Sequence, residues 1–189
     1  LAEVTVFEVD HPSTQKLKQR KAEGLGRTAR EIRYAGCDFE RVSLESALDS
    51  VGFEPAKPSV WIWEGVTMYL HASAVTHSLN TIARLSAPES RLISSYLTPE
   101  FTSTAKLLGK LGAKSLGTLS EPIRFTARES EMHALLSERG FSPISDVLPS
   151  AVAGDYGAEV FRHAFMLPTE RVVVSVRQSS APGMPVSSP

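Results

Sequence analysis

The sequence predicts an α/β fold with a mainly parallel sheet, and three observations support this. Short β-branched or apolar runs alternate with amphipathic stretches along most of the 189 residues, and the runs end at turn or acidic residues. Strands that alternate with helices form βαβ units, in which the strands are parallel. A hydrophobic fraction of 42% and a charged fraction of 22% are ordinary for a soluble globular core.

The pattern predicts six strands and five helices. The strands are predicted at 4–9, 31–37, 59–63, 91–97, 141–148 and 171–177, with the first of them buried, and the helices at 13–25, 44–51, 73–85, 99–111 and 127–139. Ser43 is a suitable N-cap for the second helix. Residues 112–120 are predicted to form a mobile loop. The Pro- and Ser-rich residues 179–189 are predicted to be a disordered tail to a single domain at 1–178.

Charge and cysteine content limit the function classes. A net charge of −1 produces no field that attracts nucleic acid or an anionic membrane. Cys37 is the single cysteine, so neither an intrachain disulfide nor a cysteine-based metal cluster can form, and we expect it to be a small core residue. No histidine pair has metal-ligand spacing with a third ligand nearby, so no metal site is predicted. With no signal peptide and no apolar stretch near the ~18 residues that span a bilayer, the sequence predicts a cytoplasmic protein.

Three consecutive predicted strands are each followed by an acidic residue, namely Asp10, Asp38 and Glu64. Open α/β sheets bind ligands beyond the carboxyl ends of their strands. An acid after one strand can accept hydrogen bonds from ribose hydroxyls, and an acid after the next can accept one from the adenine amine. Phe39 offers an apolar face for the purine. Any one acid could instead be only a turn or cap residue, but together they favour an adenosine-containing cofactor.

Several motifs resemble the leucine carboxyl methyltransferase family and its bacterial relatives. They are FEVDHP at 7–12, CDFE at 37–40, WEGVTMYL at 63–70, ERGF at 138–141 and ERVV at 170–173. The resemblance implies a Rossmann-like class I methyltransferase sheet, mainly parallel with an antiparallel C-terminal strand.

The resemblance also implies the cofactor S-adenosylmethionine and assigns residues to it. Asp10 would bind the ribose hydroxyls, and Asp38 and Phe39 would hold the adenine. Glu64 would face the amino-acid end near the sulfonium, where a negative charge is favourable.

Met68 and Tyr69 would lie on the substrate side, and the implied reaction is O-methyl transfer to a carboxylate or hydroxyl of a small molecule or peptide. Methyl transfer needs no covalent protein intermediate, so the absence of a nucleophile motif does not count against it. A carboxylate acceptor needs no base, whereas a hydroxyl acceptor needs one. The sequence identifies no catalytic residue.

The chain also departs from the family. Members carry a strand and a Gly-rich loop upstream of the FEVDHP motif, and residues 1–5 leave no room for them. We therefore expect the sheet to lack its first strand, and the chain alone to bind the cofactor weakly or not at all. Two alternatives stay open: a non-catalytic truncated remnant of such an enzyme, and a nicotinamide-dependent dehydrogenase, whose ribose Asp10 would also suit.

Overall fold

A computed structural model of the chain describes residues 2–26, 28–38, 41–101, 122–157 and 169–179. The chain divides into two compact units, Leu1–Ala56 and Lys57–Pro189, each described by itself below. The loop predicted at 112–120 lies outside the described residues, as do most of the helix predicted at 99–111 and nearly all of the predicted tail. The single domain at 1–178 stays a prediction.

The first unit is a βαβα segment built on two parallel strands. Its strands run in register from Thr5 opposite Glu31 to Asp10 opposite Gly36. Its elements are β1 (Thr5–Asp10), α1 (Pro12–Ala22), β2 (Glu31–Gly36) and α2 (Leu44–Asp49). A small apolar core joins them, consisting of Ala35, Cys37, Ala47, Val9 and Val51.

The helix starts of this unit follow from local chemistry. The predicted N-cap Ser43 is confirmed, because its hydroxyl accepts a hydrogen bond from the Ser46 amide at 3.1 Å. Helix α1 begins one residue before its predicted start. Pro12 takes the first helical position, where the missing N–H costs nothing, and the Nδ1 atom of His11 accepts the Ser13 amide at 3.4 Å.

The second unit is a mixed four-stranded sheet with helices. Its strand order is β3-β4-β6-β5, with β3 and β4 parallel and β6 antiparallel to both β4 and β5. The predicted α/β class with an antiparallel C-terminal strand is confirmed. The elements are β3 (Val60–Trp63), α3 (Ala72–Leu85), β4 (Arg91–Leu97), α4 (Glu129–Ser137), β5 (Phe141–Val147), α5 (Pro149–Val152) and β6 (Glu170–Arg177), with short 3₁₀ helices at Thr67–Tyr69 and Ala153–Tyr156.

Strands β1 and β3 are more exposed than their apolar sequences suggest. Val4 and Val6 are 43% and 36% exposed, so the prediction of a buried first strand is wrong for these residues, and Ile62 in β3 is 70% exposed. Within the described residues β1 pairs with β2 alone and β3 with β4 alone, so each is an edge strand there. The partly buried Trp61 and Trp63 alternate with exposed neighbours, because residues two apart in a strand point to the same face.

The core of the second unit lies where β4, β5, β6, α3 and α4 bury apolar side chains. Each large aliphatic side chain removed from water there contributes about 1.5–3 kcal/mol. The fully buried members include Val75, Leu79, Leu92, Met132, Leu136, Phe141 and Val173.

Gly140 connects α4 to β5 with φ +73°, a left-handed conformation that favours glycine. The position is also crowded, since a Cβ there would collide with the guanidinium of Arg177.

Candidate functional site

Asp10 is the last residue of β1, and its carboxylate is already engaged on both oxygens. Oδ1 accepts the His11 amide at 2.7 Å, and Oδ2 lies 2.5 Å from Nζ of Lys18 on α1. Lys18 also reaches Oε1 of Glu8 at 2.9 Å, and hydrogen bonds first to Asp10 and then to Glu8 raise the pKa of Lys18. About a quarter of the Asp10 side chain is exposed, so a ligand hydroxyl can still reach it.

A second residue of α1, Gln15, fixes the helix against the same strand. Its side chain is buried, and Nε2 donates to Oε2 and to the backbone oxygen of Glu8 at 2.8 and 3.2 Å. Helix α1 therefore holds both acids of β1 in place.

Asp38 follows β2 at the same sheet edge as Asp10. The Cys37 amide donates to the Asp10 carbonyl at 2.9 Å, so the two strands stay joined up to the residue before Asp38. The Asp38 carbonyl accepts the amides of Arg41 and Val42, both at 2.8 Å, and its carboxylate lies 3.6 Å from Nε of Arg41. The structure thus brings the first two predicted cofactor residues to one edge, while Phe39 lies outside the described residues.

Cys37 has the predicted character of a core residue. It is fully buried, and burial, followed by the charge of Asp38, raises the pKa of its thiol. This thiol is therefore a poor nucleophile.

Glu64 follows β3 in the second unit and is exposed. The next residue, Gly65, has φ +69° and open space where a Cβ would lie, and its amide donates to Oγ of Ser95 at 2.9 Å. Thr67 donates from Oγ1 to the Ser95 carbonyl at 2.7 Å. The turn after Glu64 is thus anchored at two points on β4.

Met68 and Tyr69, the predicted substrate-side residues, lie in the 3₁₀ helix that follows this turn. Met68 is buried against Leu97 and Phe101, with Tyr69 packed at the margin of this cluster. The Met68 carbonyl accepts the Arg124 amide at 2.8 Å. The structure thus gives Met68 a packing role and leaves Tyr69 partly accessible.

Glu170, which the sequence reasoning did not assign to the site, lies at the same edge as Glu64. It begins β6 and pairs with Leu97 at the end of β4. Burial raises the pKa of Glu170, a hydrogen bond from Ser95 lowers it to a smaller extent, and the neighbouring carboxylate of Glu64 raises it. The ERVV motif in the sequence could have indicated Glu170, because an antiparallel strand starts at the sheet edge where the parallel strands end.

A polar cluster outside the predicted site joins α4 to β4, β5 and β6. Asp146, with a side chain 3% exposed, accepts from the Tyr96 hydroxyl at 2.6 Å, Nε2 of His133 at 2.9 Å and Nε of Arg171 at 2.8 Å. Burial and the Asp146 hydrogen bond raise the pKa of Tyr96. The sequence reasoning missed this cluster because it depends on long-range pairing.

Three members of this region, Glu129, His133 and Asp146, have ligand atoms within 4.8 Å of one another, which is close enough to hold a metal ion. Arg171 occupies the same space, with Nη2 2.7 Å from Oε2 of Glu129 and Nε bonded to Asp146. Because the guanidinium already pairs with both carboxylates, the arrangement is that of a structural ion-pair network.

A comparison with known protein families matches the N-terminal part of the chain. Residues 1–83 match the protein-family model described as "Leucine carboxyl methyltransferase". This match agrees, over these residues, with the resemblance to the leucine carboxyl methyltransferase family that the sequence motifs show. A relative from Mycolicibacterium smegmatis, named as a candidate S-adenosyl-L-methionine-dependent methyltransferase, is 40% identical over 97 residues, or 51% of this chain and 32% of the relative.

A similarly named relative from Mycobacterium sp. (strain KMS) is 32% identical over 181 residues, which is 93% of this chain and 58% of the relative. The chain thus spans about a third to just over half the length of these relatives. The motifs at 7–12, 37–40 and 63–70, which contain or adjoin Asp10, Asp38 and Glu64, fall inside residues 1–83, the segment that matches the family model.

Solved structures share the fold of this chain at low sequence identity. A methyltransferase from Methanosarcina mazei aligns with a TM-score of 0.61 at 11% identity, covering 93% of this chain and 83% of that one. Magnesium protoporphyrin IX methyltransferase from Synechocystis PCC 6803 aligns with a TM-score of 0.58 at 16% identity, covering 93% and 65%. The fold is that of the class I methyltransferases. Among the described residues, no helix has the length and hydropathy to span a membrane.

Proposed function

We propose that this chain is the adenosine-binding and substrate-side part of an S-adenosylmethionine-dependent O-methyltransferase that acts on a small molecule or peptide. The observation that carries the proposal is the placement of Asp10 and Asp38 at one parallel sheet edge, inside the segment that matches the family. Two acids at neighbouring strand ends suit the hydroxyls and amine of an adenosine.

The residues present fit the cofactor. A carboxylate has about four lone-pair sites, so Asp10 can accept ribose hydroxyls while it keeps Lys18 and the His11 amide. The acids Glu64 and Glu170 together create a negative region that suits an ammonium or sulfonium. Gly65, with no neighbour within 4 Å of a Cβ, leaves the backbone beside Glu64 open to a ligand.

Bound S-adenosylmethionine supplies an electrophilic methyl group on a sulfonium. Asp10 and Asp38 would hold the adenosine, with Phe39 against the purine, and Glu64 would hold the charged end. Tyr69 would border the acceptor, with Met68 as its packed support. Orientation and exclusion of water account for rate enhancement in a one-step displacement.

Equilibrium dialysis of the full chain with labelled S-adenosylmethionine tests the proposal, with NADH as competitor. Because we expect the chain to bind the cofactor weakly or not at all, the ligand concentration extends into the millimolar range. Asp10→Asn and Asp38→Asn should each weaken binding by about 10- to 100-fold, the effect of losing a hydrogen bond to a charged group. Asp49→Asn, an exposed position on α2 in the same unit, is the matched control and should change nothing.

Two results would contradict the proposal. One is binding that the Asp10 and Asp38 variants leave unchanged, because the adenosine would then lie elsewhere. The other is displacement of the label by NADH at lower concentration than by unlabelled S-adenosylmethionine, which would favour the dehydrogenase.

A further inference from the structure

One lysine of α1 contacts two acids of β1. Glu8 and Asp10 lie two residues apart in the strand, so their side chains share a face. Nζ of Lys18 is 2.9 Å from Oε1 of Glu8 and 2.5 Å from Oδ2 of Asp10. A single ammonium therefore bridges two carboxylates that would otherwise repel each other.

Glu8 is held by α1 at both of its carboxylate oxygens. Oε1 accepts a hydrogen bond from Lys18 at 2.9 Å, and Oε2 accepts one from Nε2 of the buried Gln15 at 2.8 Å. The amide fixes the carboxylate of Glu8, and this carboxylate in turn fixes the ammonium of Lys18. We therefore interpret Glu8 as the anchor of Lys18, because neither of its oxygens is free of a partner.

The two contacts of Asp10 fall on different oxygens. Oδ2 accepts from Lys18, and Oδ1 accepts the His11 amide at 2.7 Å. A carboxylate has about four lone-pair sites, so about one site on each oxygen stays available. About a quarter of the Asp10 side chain is exposed, which allows a ligand to reach these sites. Two acceptor sites side by side suit two neighbouring hydroxyls.

We propose that Lys18 is a positioning residue for cofactor binding, because it fixes the carboxylate of Asp10 in the orientation that accepts both hydroxyls of a ribose. This inference rests on the proposed function, in which Asp10 binds the ribose. Without Lys18, the His11 amide alone would hold the carboxylate, and a ligand would have to order this side chain as it binds. The ordering of one side chain lowers affinity by about 3- to 10-fold, and a carboxylate that is already ordered avoids this loss.

NMR couplings test the positioning role in the ligand-free full chain. Three-bond couplings from the backbone nitrogen and carbonyl carbon to the carboxyl carbon of Asp10 report its χ1 rotamer. We expect the values of a single rotamer in the wild type and averaged values in Lys18→Met. The Lys18 side chain is 56% exposed, so its replacement leaves the fold intact. Lys16→Met removes the same charge from an exposed position of the same helix and should keep the wild-type couplings.

A comparison of two ligands separates positioning from general damage to the site. S-adenosylhomocysteine carries both ribose hydroxyls, and its dideoxy analogue carries neither. Equilibrium dialysis into the millimolar range gives the dissociation constant of each ligand, and the ratio of the two constants measures what the hydroxyls contribute. We expect Lys18→Met to lower the preference for the ligand with hydroxyls by about 3- to 10-fold, and Lys16→Met to leave it unchanged. A merely structural role would weaken both ligands equally.

The outcomes distinguish this inference from the function on which it rests. Equal binding of the two ligands by the wild type would mean that Asp10 does not hold a ribose, so the proposed function would fail at this residue and the inference with it. A preference that Asp10→Asn abolishes and Lys18→Met preserves would overturn the inference alone. Averaged couplings in the wild type, or wild-type couplings in Lys18→Met, would also overturn it, and these couplings decide the matter for a chain that binds neither ligand.

Discussion

Replacement of Asp146 by asparagine tests the polar cluster that joins α4 to the sheet. The substitution preserves the size of the side chain and removes its charge, so no cavity forms. The Asp146 side chain is 3% exposed and that of Arg171 18%, and their contact of 2.8 Å is a buried ion pair. The loss of one partner of such a pair costs about 3–5 kcal/mol. An asparagine amide cannot accept from Tyr96, His133 and Arg171 together, so we expect the upper part of that range.

Urea denaturation followed by circular dichroism measures this loss. A cost of this size is a large part of the roughly 5–15 kcal/mol that stabilises a typical domain, so the midpoint should fall steeply or the second unit should be unfolded in water. Asp155→Asn, at an exposed aspartate, should stay within about 0.5 kcal/mol of the wild type. A loss below about 1 kcal/mol in Asp146→Asn would mean that the cluster behaves like a surface ion pair and would refute the reasoning.

Three further predictions concern the titratable groups. Lys18→Met should lower the free energy of unfolding by less than about 1 kcal/mol, because the Lys18 side chain is 56% exposed. Because the pKa of Lys18 is raised, its ion pair with Asp10 stabilises the fold below pH 10.5. The difference in unfolding free energy between the wild type and Lys18→Met should therefore vanish as the pH rises through the raised pKa. Glu170→Gln should have a higher Tm than the wild type at pH 7 but not below pH 4.5, since a raised carboxyl pKa makes the charged form destabilising; an equal Tm difference at both pH values would contradict this. Cys37, fully buried with a raised pKa, should react with iodoacetamide at neutral pH only as urea unfolds the first unit, and rapid labelling of the native chain would show that the site opens.

Local signals were sufficient to predict most elements of the fold. The alternation of apolar runs and amphipathic stretches predicts strands β1 to β6 within a residue or two, and the serine at position 43 caps α2 as its chemistry requires. Asp10 at the end of β1 and Asp38 just after β2 reach a common edge because parallel strands in register must end together.

The rest depended on pairings between distant residues. In β5 a register shift between Pro143 and Ser145 inserts one extra residue relative to β6. Strict alternation from Phe141 would place Asp146 on the opposite face, and the extra residue returns it to the face that carries Val173. No local pattern predicts such a shift.

Glu170 was missed for a related reason. The predicted site residues all follow strands. Glu170 instead begins an antiparallel strand, and the first residue of such a strand lies at the same edge.

The most direct test of the central claim is a residue-resolved map of S-adenosylmethionine binding to the full chain. Nitrogen-15 NMR spectra are recorded as the ligand is added into the millimolar range, and saturable amide shifts are assigned to residues. We expect these shifts to cluster at 10–12, 36–38 and 64–67, at or just beyond the ends of β1, β2 and β3. Saturable shifts confined to places such as 141–147 would contradict the proposed site.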